Sequence, residues 1–245
     1  MLQMILSTDF FFAILRITTP ILLVTLAAVI GEKAGVSNIG LEGTMMLSAL
    51  FGSLTAYYTN SWFWGLCAAI ISGILTSLLM GFFAFNLKTN IILAGTAVNM
   101  IGGGGTLFLV KMITGITQGR QMTSTTGLIM ASMQIPSWNI PLVRQIPLIG
   151  AVFSGHCILT YLAFLFVWLT GVLLYKTPLG LNIRSVGENP HAASSVGVSV
   201  LKIKYIATMI GGILAGLAGA YMSMYYAMGW SQNMVAGRGF IALAA

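Results

Sequence analysis

The stretch WFWGLCAAIISGILTSLLMGFFAF, from Trp62 to Phe85, decides the fold because it runs for 24 residues without one charged side chain. A transmembrane helix needs about 20 apolar residues to cross roughly 30 Å of hydrocarbon. The stretch also lacks the alternation of apolar and polar residues that is typical of a membrane β-barrel. We therefore predict that this part of the chain is a membrane-spanning helix.

Five other stretches have a similar composition and are long enough, or nearly so, to span a bilayer. The second along the chain is short and has Glu42 at its start, so we expect it to combine with residues 31–40 into a broken helix. Unwound backbone at membrane depth is tolerated only where it packs in protein or lines a water-filled cavity. The prediction is an all-α integral membrane protein, a polytopic helical bundle with broken or re-entrant helices. The five stretches are Phe10–Ile30, Leu41–Tyr58, Ile91–Val110, Ala151–Tyr175 and Tyr205–Met228.

The composition of the whole chain supports this class. Of its 245 residues, 58% are hydrophobic and only 6% are charged, whereas a soluble domain carries about 25% charged residues. A soluble enzyme, a disordered chain and a nucleic-acid binder are thereby excluded, since the formal charge of +7 is not gathered into a phosphate-binding cluster. Cys67 and Cys157 lie in apolar runs without a CxxC motif, so we expect neither a disulfide nor a metal site.

Two long polar connections set the expected topology. Residues 176–204 are the more basic, so the positive-inside tendency places them in the cytosol. Residues 116–149, which contain Pro136, Pro141 and Pro147, then face outward. If the second apolar stretch crosses the membrane, Lys33 and Lys88 also fall inside, and the N-terminus lies outside.

Polar residues within the membrane are costly and are therefore candidates for function. The segment GVSNIGLEG, Gly35–Gly43, combines glycines with Asn38 and Glu42. One hypothesis is a loop that faces a transport pathway, where these two side chains bind cargo or neighbouring helices. An ordinary turn at the membrane interface explains the segment equally well.

Further pathway candidates are spread along the chain. Asn99 precedes four glycines, Gly102–Gly105, in which Gly103 is either part of a hinge beside the cargo or a point of close helix packing. Trp230 and Asn233 follow the last complete span and are weaker candidates. That span also carries two ladders of small residues, which predict close helix contacts in lipid. The ladders are Gly211, Ala215 and Gly219, and Gly212, Gly216 and Ala220.

The basic connection contains a short predicted helix within residues 177–200. Asn189 suits an N-cap, Pro190 suits the first helical position, and Gly197 suits the C-terminal cap. A helix over residues 191–196 follows, in which Ala192 and Ala193 leave room for another protein to approach. A docking helix is one interpretation of this pattern, and a solvated connector is the other.

Three strings together resemble the permease subunits of bacterial ABC importers. They are GVSNIGLEG at Gly35–Gly43, YKTPLGLNIRSVGENPHAA at Tyr175–Ala193, and NMVAGRGFIALAA at Asn233–Ala245. The most similar group is the simple-sugar and nucleoside permeases, within the ribose and branched-chain amino-acid permease superfamily. The resemblance implies that residues 1–245 form a single transmembrane permease domain of the type II importer kind. Members of this group are usually longer at the C-terminus, so we expect the chain to be a fragment.

The resemblance also implies partners and a location. It implies a multi-pass protein of the bacterial cytoplasmic membrane that pairs with a second permease subunit, with ABC ATPase subunits and with an extracellular solute-binding protein or lipoprotein. ATP and Mg²⁺ would sit on the ATPase subunits, so this chain would be no enzyme and would hold no cofactor. The cargo is expected to be a nucleoside or simple sugar. The residues that resemble the ATPase-coupling helix are Gly187, Glu188, Asn189, Pro190, Ala192, Ala193 and Gly197.

Two other classes of function compete with an ATP-driven importer. An ion-coupled secondary transporter of a small polar solute would usually place an ionisable group at mid-span. The last four complete spans contain no acidic residue, which leaves Glu42 as the candidate. A membrane enzyme would need a constellation of catalytic groups, and the sequence shows none.

Overall fold

The computed structural model describes residues 8–119, 123–125, 133–138 and 154–245. Within this part of the chain the secondary structure is helical, with two single-residue β-bridges, Ser124–Ser231 and Ser137–Cys157, and no strand. The all-α prediction is therefore confirmed. The helices are α1 (Thr8–Lys33), α2 (Leu41–Thr59), α3 (Trp62–Gly81), α4 (Ile91–Met100), α5 (Thr106–Gln118), α6 (Ile158–Lys176), α7 (Pro178–Glu188), α8 (Pro190–Ser195), α9 (Val200–Tyr221) and α10 (Arg238–Ala244).

Short π-helical turns continue three of these helices. One extends α3, one joins α4 to α5, and one extends α9; they span Phe82–Asn86, Ile101–Gly105 and Met222–Tyr226. Five helical segments of the described chain are long and apolar enough to cross a membrane, and they correspond to five of the six predicted stretches. They are Thr8–Lys33, Trp62–Asn86, Ile91–Ile116, Ile158–Lys176 and Val200–Tyr226.

Most of these helices extend beyond the predicted apolar stretches. α1 continues to Lys33, α5 passes Lys111, and α9 begins before Lys202. Long basic side chains at helix ends can bury their stems and keep the charge in water, so a lysine does not end a spanning helix. The predicted ends at Ile30 and Val110 and the predicted start at Tyr205 were wrong, because they followed the loss of hydropathy rather than the continuation of backbone hydrogen bonding.

α6 begins later than predicted, at Ile158 rather than Ala151. Residues 154–157 are not helical, and Gly155 has a φ of 92°, a left-handed conformation that interrupts a helix. Residues 151–153 lie outside the described residues. The same holds for most of the predicted outward connection, including Pro141 and Pro147.

The remaining predicted stretch, Leu41–Tyr58, forms α2, the central helix of the bundle. Thirteen of its 19 residues are buried, and it packs mainly against α3 and α9. Close approach of backbones makes this burial possible: a Cβ atom added to Gly219 of α9 would lie 2.9 Å from the amide nitrogen of Ala49. Small residues at helix contacts replace bulky apolar ones in lipid-embedded bundles.

The two ladders of small residues in α9 make the predicted close contacts. The first ladder approaches α1 and α2, since Gly211 lies near Ala27 and Gly219 lies against α2. The second approaches α3, where a Cβ atom added to Gly216 would lie 2.7 Å from the carbonyl oxygen of Ala69. α9 therefore packs closely, backbone against backbone, on three neighbouring helices.

One end of the bundle gathers the end of α3, the start of α9, and α7 with α8. The Tyr205 hydroxyl donates to Asn86 Oδ1 at 3.1 Å, and the Lys204 ammonium lies 5.9 Å from the centre of the Phe85 ring. Gly187 of α7 packs against Gly35, just after α1. We refer to this as the inner end, because it collects the basic residues that the topology predicts on one side.

Residues 34–40, which we call the strut, connect α1 to α2 without forming a helix. The strut enters the bundle from the inner end: Gly40 packs against Gly95, and Gly43 packs against Asn99. Asn99 lies eight residues after the start of α4, which is about 12 Å along that helix at 1.5 Å per residue. The break predicted before the second apolar stretch is therefore real, and α2 begins inside the bundle.

The face of α4 and α5 that packs into the bundle follows a strict spacing. Every fourth residue is buried over 21 residues, across the π-helical turn that joins the two helices. The buried residues at this spacing are Ala94, Val98, Gly102, Thr106, Val110 and Thr114.

Candidate functional site

The lever, by which we mean α7 and α8, lies at the inner end between α6 and α9. α7 starts at Pro178, where the Thr177 hydroxyl accepts a hydrogen bond from the Gly180 N–H at 3.1 Å. Asn189 Oδ1 then accepts the N–H groups of His191 and Ala192, both at 3.1 Å. This confirms the predicted N-cap of α8, with Pro190 at the first helical position.

The C-terminal end of α8 also follows the predicted chemistry. Gly197 has a φ of 85°, its N–H donates to the Ser194 carbonyl, and the Val198 N–H donates to the Ala193 carbonyl at 3.1 Å. These paired bonds form a Schellman motif, which needs a left-handed residue such as glycine. The helix covers Pro190–Ser195 rather than the predicted 191–196.

The two alanines of α8 differ in exposure. Ala193 is 3% exposed and packs into the chain itself, so our expectation that both alanines leave room for another protein was wrong for Ala193. Ala192 is exposed. Because one face of α8 packs against α7, only the residues on the other side of α8 are open to a partner.

The exposed side of the lever includes two apolar residues that the sequence analysis missed. Leu181 is 59% exposed and Val196 is 78% exposed, although both lie at the polar end of the bundle. Exposed apolar side chains indicate a protein contact where they form a contiguous patch. We name this the partner-facing surface; it consists of Leu181, Glu188, His191, Ala192, Ser195 and Val196.

The predicted coupling residue Gly187 faces the opposite way, toward the strut. A Cβ atom added to it would overlap the Lys33 carbonyl oxygen and lie 3.0 Å from the Gly35 amide nitrogen. Backbone therefore packs directly on backbone where the lever meets the strut.

Glu42 binds the start of α10. Its Oε1 accepts the N–H of Gly237 at 2.8 Å, and its Oε2 accepts the N–H of Gly239 at 2.7 Å. A carboxylate at a helix N-terminus satisfies free N–H groups and is favoured by the helix dipole. This contact joins two of the three strings on which the family resemblance was based, Gly35–Gly43 and Asn233–Ala245.

Asn99 binds the other side of the same region. Its Oδ1 accepts the Gly43 N–H at 2.8 Å, and its Nδ2 donates to the Ile39 carbonyl at 2.9 Å. The buried Asn38 Oδ1 accepts the Gly40 N–H at 3.0 Å. We call this set of contacts the α2 junction: residues 38–43, Asn99 and residues 237–239.

The other three pathway candidates are not part of the α2 junction. Trp230 is fully buried; its carbonyl accepts the Thr125 N–H at 2.7 Å, and its indole nitrogen has no hydrogen-bond partner among the described residues. Asn233 is exposed, with a φ of 58°. Gly103 is also exposed, and no atom would lie within 4 Å of a Cβ added to it.

The α2 junction lies beside a cavity but does not line it. The cavity has a volume of about 540 Å³, and Gly35, Ser37, Lys88, Thr89 and Asn90 are among the residues that line it. It therefore lies along the strut, on the side of the α3–α4 connection. Among the described residues, no group of three or more His, Cys, Asp or Glu side chains could hold a metal ion.

Comparison with known proteins places this architecture in a family. Residues 10–245 match the family described as branched-chain amino acid transport system / permease component. The chain is 35% identical over 244 residues to the guanosine ABC transporter permease protein NupQ of Bacillus subtilis, which covers 95% of this chain and 72% of that protein. It is 33% identical over 241 residues to the nucleoside ABC transporter permease protein NupC of Lactococcus lactis, covering 93% and 71%.

A third relative has a name that refers to a sugar rather than to a nucleoside. TsgC13 of Haloferax volcanii, provisionally named a glucose ABC transporter permease protein, is 34% identical over 236 residues, covering 95% of this chain and 68% of that protein. No solved structure matches the chain significantly. The long family match and these identities show that the chain belongs to the family of ABC transporter permease components of the branched-chain amino acid transport type.

Proposed function

We propose that this chain is the permease subunit of an ATP-driven importer that carries a nucleoside or a simple sugar across the bacterial cytoplasmic membrane. The observation that carries the proposal is the partner-facing surface on a capped, compact lever at the inner end of the bundle. The lever is tied to the spans at both ends, because α7 follows α6 directly and α8 is followed by α9. The names of the relatives support the cargo class.

The packing of the lever provides a route by which movement at its surface would reach the membrane-spanning helices. α7 packs against α6, α9 and α1, so a partner that moves the lever pushes on three spans. In this proposal ABC ATPase subunits hold ATP and Mg²⁺ and grip the partner-facing surface. A second permease subunit completes the pathway, and an extracellular solute-binding protein or lipoprotein delivers cargo at the opposite end.

We place the pathway along the exposed face of α4 and α5, which includes Gly103. This face and that of α6 are similar in extent, since 28% of each span is buried. The exposed residues of α6 are bulky and apolar, such as Phe164 and Trp168. The span of α4 and α5 also exposes bulky apolar residues, but it adds Thr96 on α4 and Gly103 in the π-helical turn to its exposed face. Small and polar groups suit a wall that borders water or cargo, and bulky apolar groups suit lipid.

The remaining pathway candidates are assigned different parts in this proposal. Backbone groups already occupy the side chains of Asn38, Glu42 and Asn99 through hydrogen bonds. These three residues therefore shape the pathway rather than contact the cargo. Asn233 is exposed and is available to cargo entering from the outer end, while Trp230 supports the same region from beneath. The nearby carboxylate of Glu42 is already hydrogen-bonded to backbone N–H groups, so it is not free to bind a charged cargo. A neutral, polyhydroxylated cargo therefore suits this site.

The first test concerns the partner-facing surface. We expect the purified native transporter to contain an ATPase subunit, and Ala192→Arg to reduce the amount of that subunit at least tenfold without reducing membrane insertion. Thr59→Arg, at the exposed far end of α2, is the matched control and should retain the ATPase. An Ala192→Arg variant that retains the ATPase and transports normally would contradict the proposal.

The second test separates ATP-driven import from ion coupling. Glu42→Gln is a poor discriminator, because replacing one carboxylate oxygen by an amide group removes a bond to α10 whatever drives transport. Instead, uptake of radiolabelled guanosine, uridine, ribose and glucose should be measured in vesicles that contain the complete transporter. We expect uptake of at least one of them to require internal ATP and to survive a protonophore. Uptake that persists without ATP and stops with the protonophore would favour the secondary transporter.

A further inference from the structure

We propose that the strut transmits the movement of the lever to the start of α2, with Gly187 and Glu42 as the positioning residues at its two ends. This inference rests on the proposed function, since it assumes that a partner moves the lever. It adds a specific route from the inner surface to the interior of the bundle, where α4 and α10 are held.

The contact between lever and strut is made without side chains. The Cβ position of Gly187 is filled by the Lys33 carbonyl, and a Cβ added to Gly35 would lie 3.3 Å from the Gly187 Cα. Side chains could absorb a small displacement by changing rotamer, but backbone packed on backbone cannot. A shift of α7 at Gly187 must therefore displace the strut.

The strut itself has little slack. The Ala34 N–H donates to the Gly31 carbonyl at 2.9 Å, the Val36 N–H donates to the same carbonyl at 3.0 Å, and Ala34 and Val36 are fully buried. Near its far end the Ile39 N–H donates to the Ser37 carbonyl at 3.1 Å. Local hydrogen bonds at both ends of seven residues favour motion of the segment as a unit.

The far end of the strut distributes the displacement to two other elements. Asn99 on α4 binds the strut at Ile39 and α2 at Gly43, so α4 follows both. Glu42 carries the movement to α10 through two hydrogen bonds, and a Cβ added to Gly239 would lie 2.7 Å from the Glu42 Cα. α4 belongs to the face on which we place the pathway, so this route ends where cargo passes.

The strut also has space into which it can move. The cavity of about 540 Å³ borders Gly35 and Ser37 on one side and residues 88–92 on the other. Gly35 and Ser37 are exposed, whereas the alternate residues Ala34 and Val36 are buried. A displacement toward the α3–α4 connection therefore meets open space before it meets protein.

The test uses the complete transporter reconstituted in vesicles and measures the ratio of cargo imported to ATP hydrolysed. Gly187→Ala forces a methyl group into the joint between lever and strut, and Glu42→Gln loses one of the two bonds to α10. We expect each variant to assemble with the ATPase and to hydrolyse ATP, with the import ratio at least tenfold lower. Gly171→Ala on α6, where a Cβ meets no atom within 4 Å, is the matched control and should keep the wild-type ratio.

A merely structural role predicts a different result, since it lowers the yield and thermal stability of the complex but leaves the ratio unchanged. We further expect the double variant to be no worse than the poorer single one, because both act on one route. A wild-type ratio in Glu42→Gln, or independent multiplying losses in the double variant, would overturn the proposal.

Three further outcomes also decide the question. If Gly187→Ala prevents assembly, the Glu42→Gln ratio alone decides, because Glu42 lies away from the partner-facing surface. A wild-type complex that imports without ATP would overturn the proposed function and the strut together. ATP-driven import with unchanged ratios in the variants would overturn the strut alone.

Discussion

α2 and α6 are both 19-residue helices, and they show opposite relations between composition and burial. α2 contains Glu42 and several glycine, serine and threonine residues, yet 13 of its residues are buried. α6 is a nearly continuous apolar run, yet five of its residues are buried. Its exposed side consists of bulky apolar residues: Phe164, Leu165, Val167, Trp168 and Leu169.

The difference shows how this bundle uses a helix that is less apolar than the helices around it. In lipid, apolar side chains gain nothing by leaving the hydrocarbon for the protein interior, so close packing and hydrogen bonds decide which helix is central. Small residues let α2 approach α3, α4 and α9, while Thr44 and Ser53 donate to backbone carbonyls of their own segment and Glu42 accepts from the start of α10. Substitutions in α2 should therefore be costly where they disturb close contacts, and equivalent substitutions in α6 should be tolerated.

The largest effect is expected for Gly43→Ala in α2. The added methyl group would overlap the Val98 carbonyl oxygen and lie 2.7 Å from the Asn99 Cα. Backbone atoms of two helices would have to separate, which we expect to cost about 3 kcal/mol. For a chain of this size the thermal midpoint in detergent should fall by roughly 10 °C. An unchanged midpoint would show that α2 and α4 are not in close contact.

The next largest effect is expected for Asn99→Ala, which removes both side-chain bonds to the α2 junction. The Gly43 N–H and the Ile39 carbonyl would lose their partners, at an expected cost of about 2 kcal/mol. Thr96→Ala, on the exposed side of the same helix, should stay within about 0.5 kcal/mol of wild type. Thermal unfolding of both variants, followed by tryptophan fluorescence, checks the difference, and equal midpoints would contradict it.

A smaller effect of opposite sign is expected for Ser48→Ala in α2. The Ser48 hydroxyl is buried and has no hydrogen-bond partner among the described residues, so its removal should stabilise the protein by about 1 kcal/mol. Thr44→Ala is the matched comparison, because the Thr44 hydroxyl donates to the Gly40 carbonyl at 2.9 Å and its loss should destabilise. If both variants shift the unfolding midpoint in the same direction, the hydroxyl of Ser48 is bonded after all.

The smallest effect is expected for Gly171→Ala in α6. No atom lies within 4 Å of the added Cβ, and alanine is the better helix former, so the change should be neutral or stabilising by less than about 1 kcal/mol. The thermal midpoint of the purified chain provides the measurement. A clear loss of stability would mean that the face of α6 at Gly171 packs against protein rather than lipid.

The spanning helices could be predicted from sequence because the bilayer imposes one simple requirement, a long apolar segment with its backbone satisfied internally. The caps of α8 were also predictable. Asn189, Pro190 and Gly197 act on their immediate neighbours, so their chemistry depends little on the rest of the fold. The central position of α2 was not predictable from its composition, which is less apolar than that of its neighbours.

The contacts of the candidate site depend on the arrangement of helices, which local patterns do not contain. Glu42 and Gly237 are separated by 195 residues, and no spacing rule connects them. α7 was missed because Gly180, Asn182 and Arg184 read as a polar connector, although its amphipathic spacing carries a signal. The burial of Ala193 follows from how α8 rests on α7, which the sequence of α8 alone does not determine.

The four-residue spacing of the buried face on α4 and α5 has a consequence for helical phase. In a regular α-helix, positions four apart drift by about 40° at each step, or by about 200° over five steps, which would carry Thr114 to the side opposite Ala94. The underwound turn Ile101–Gly105 absorbs part of this drift, and a buried face that repeats every four residues favours a right-handed wrap around the neighbouring helix. Deleting one residue from the regular helix just after that turn would rotate everything downstream by about 100°, aiming Val110 and Thr114 away from the bundle while α4 kept its place.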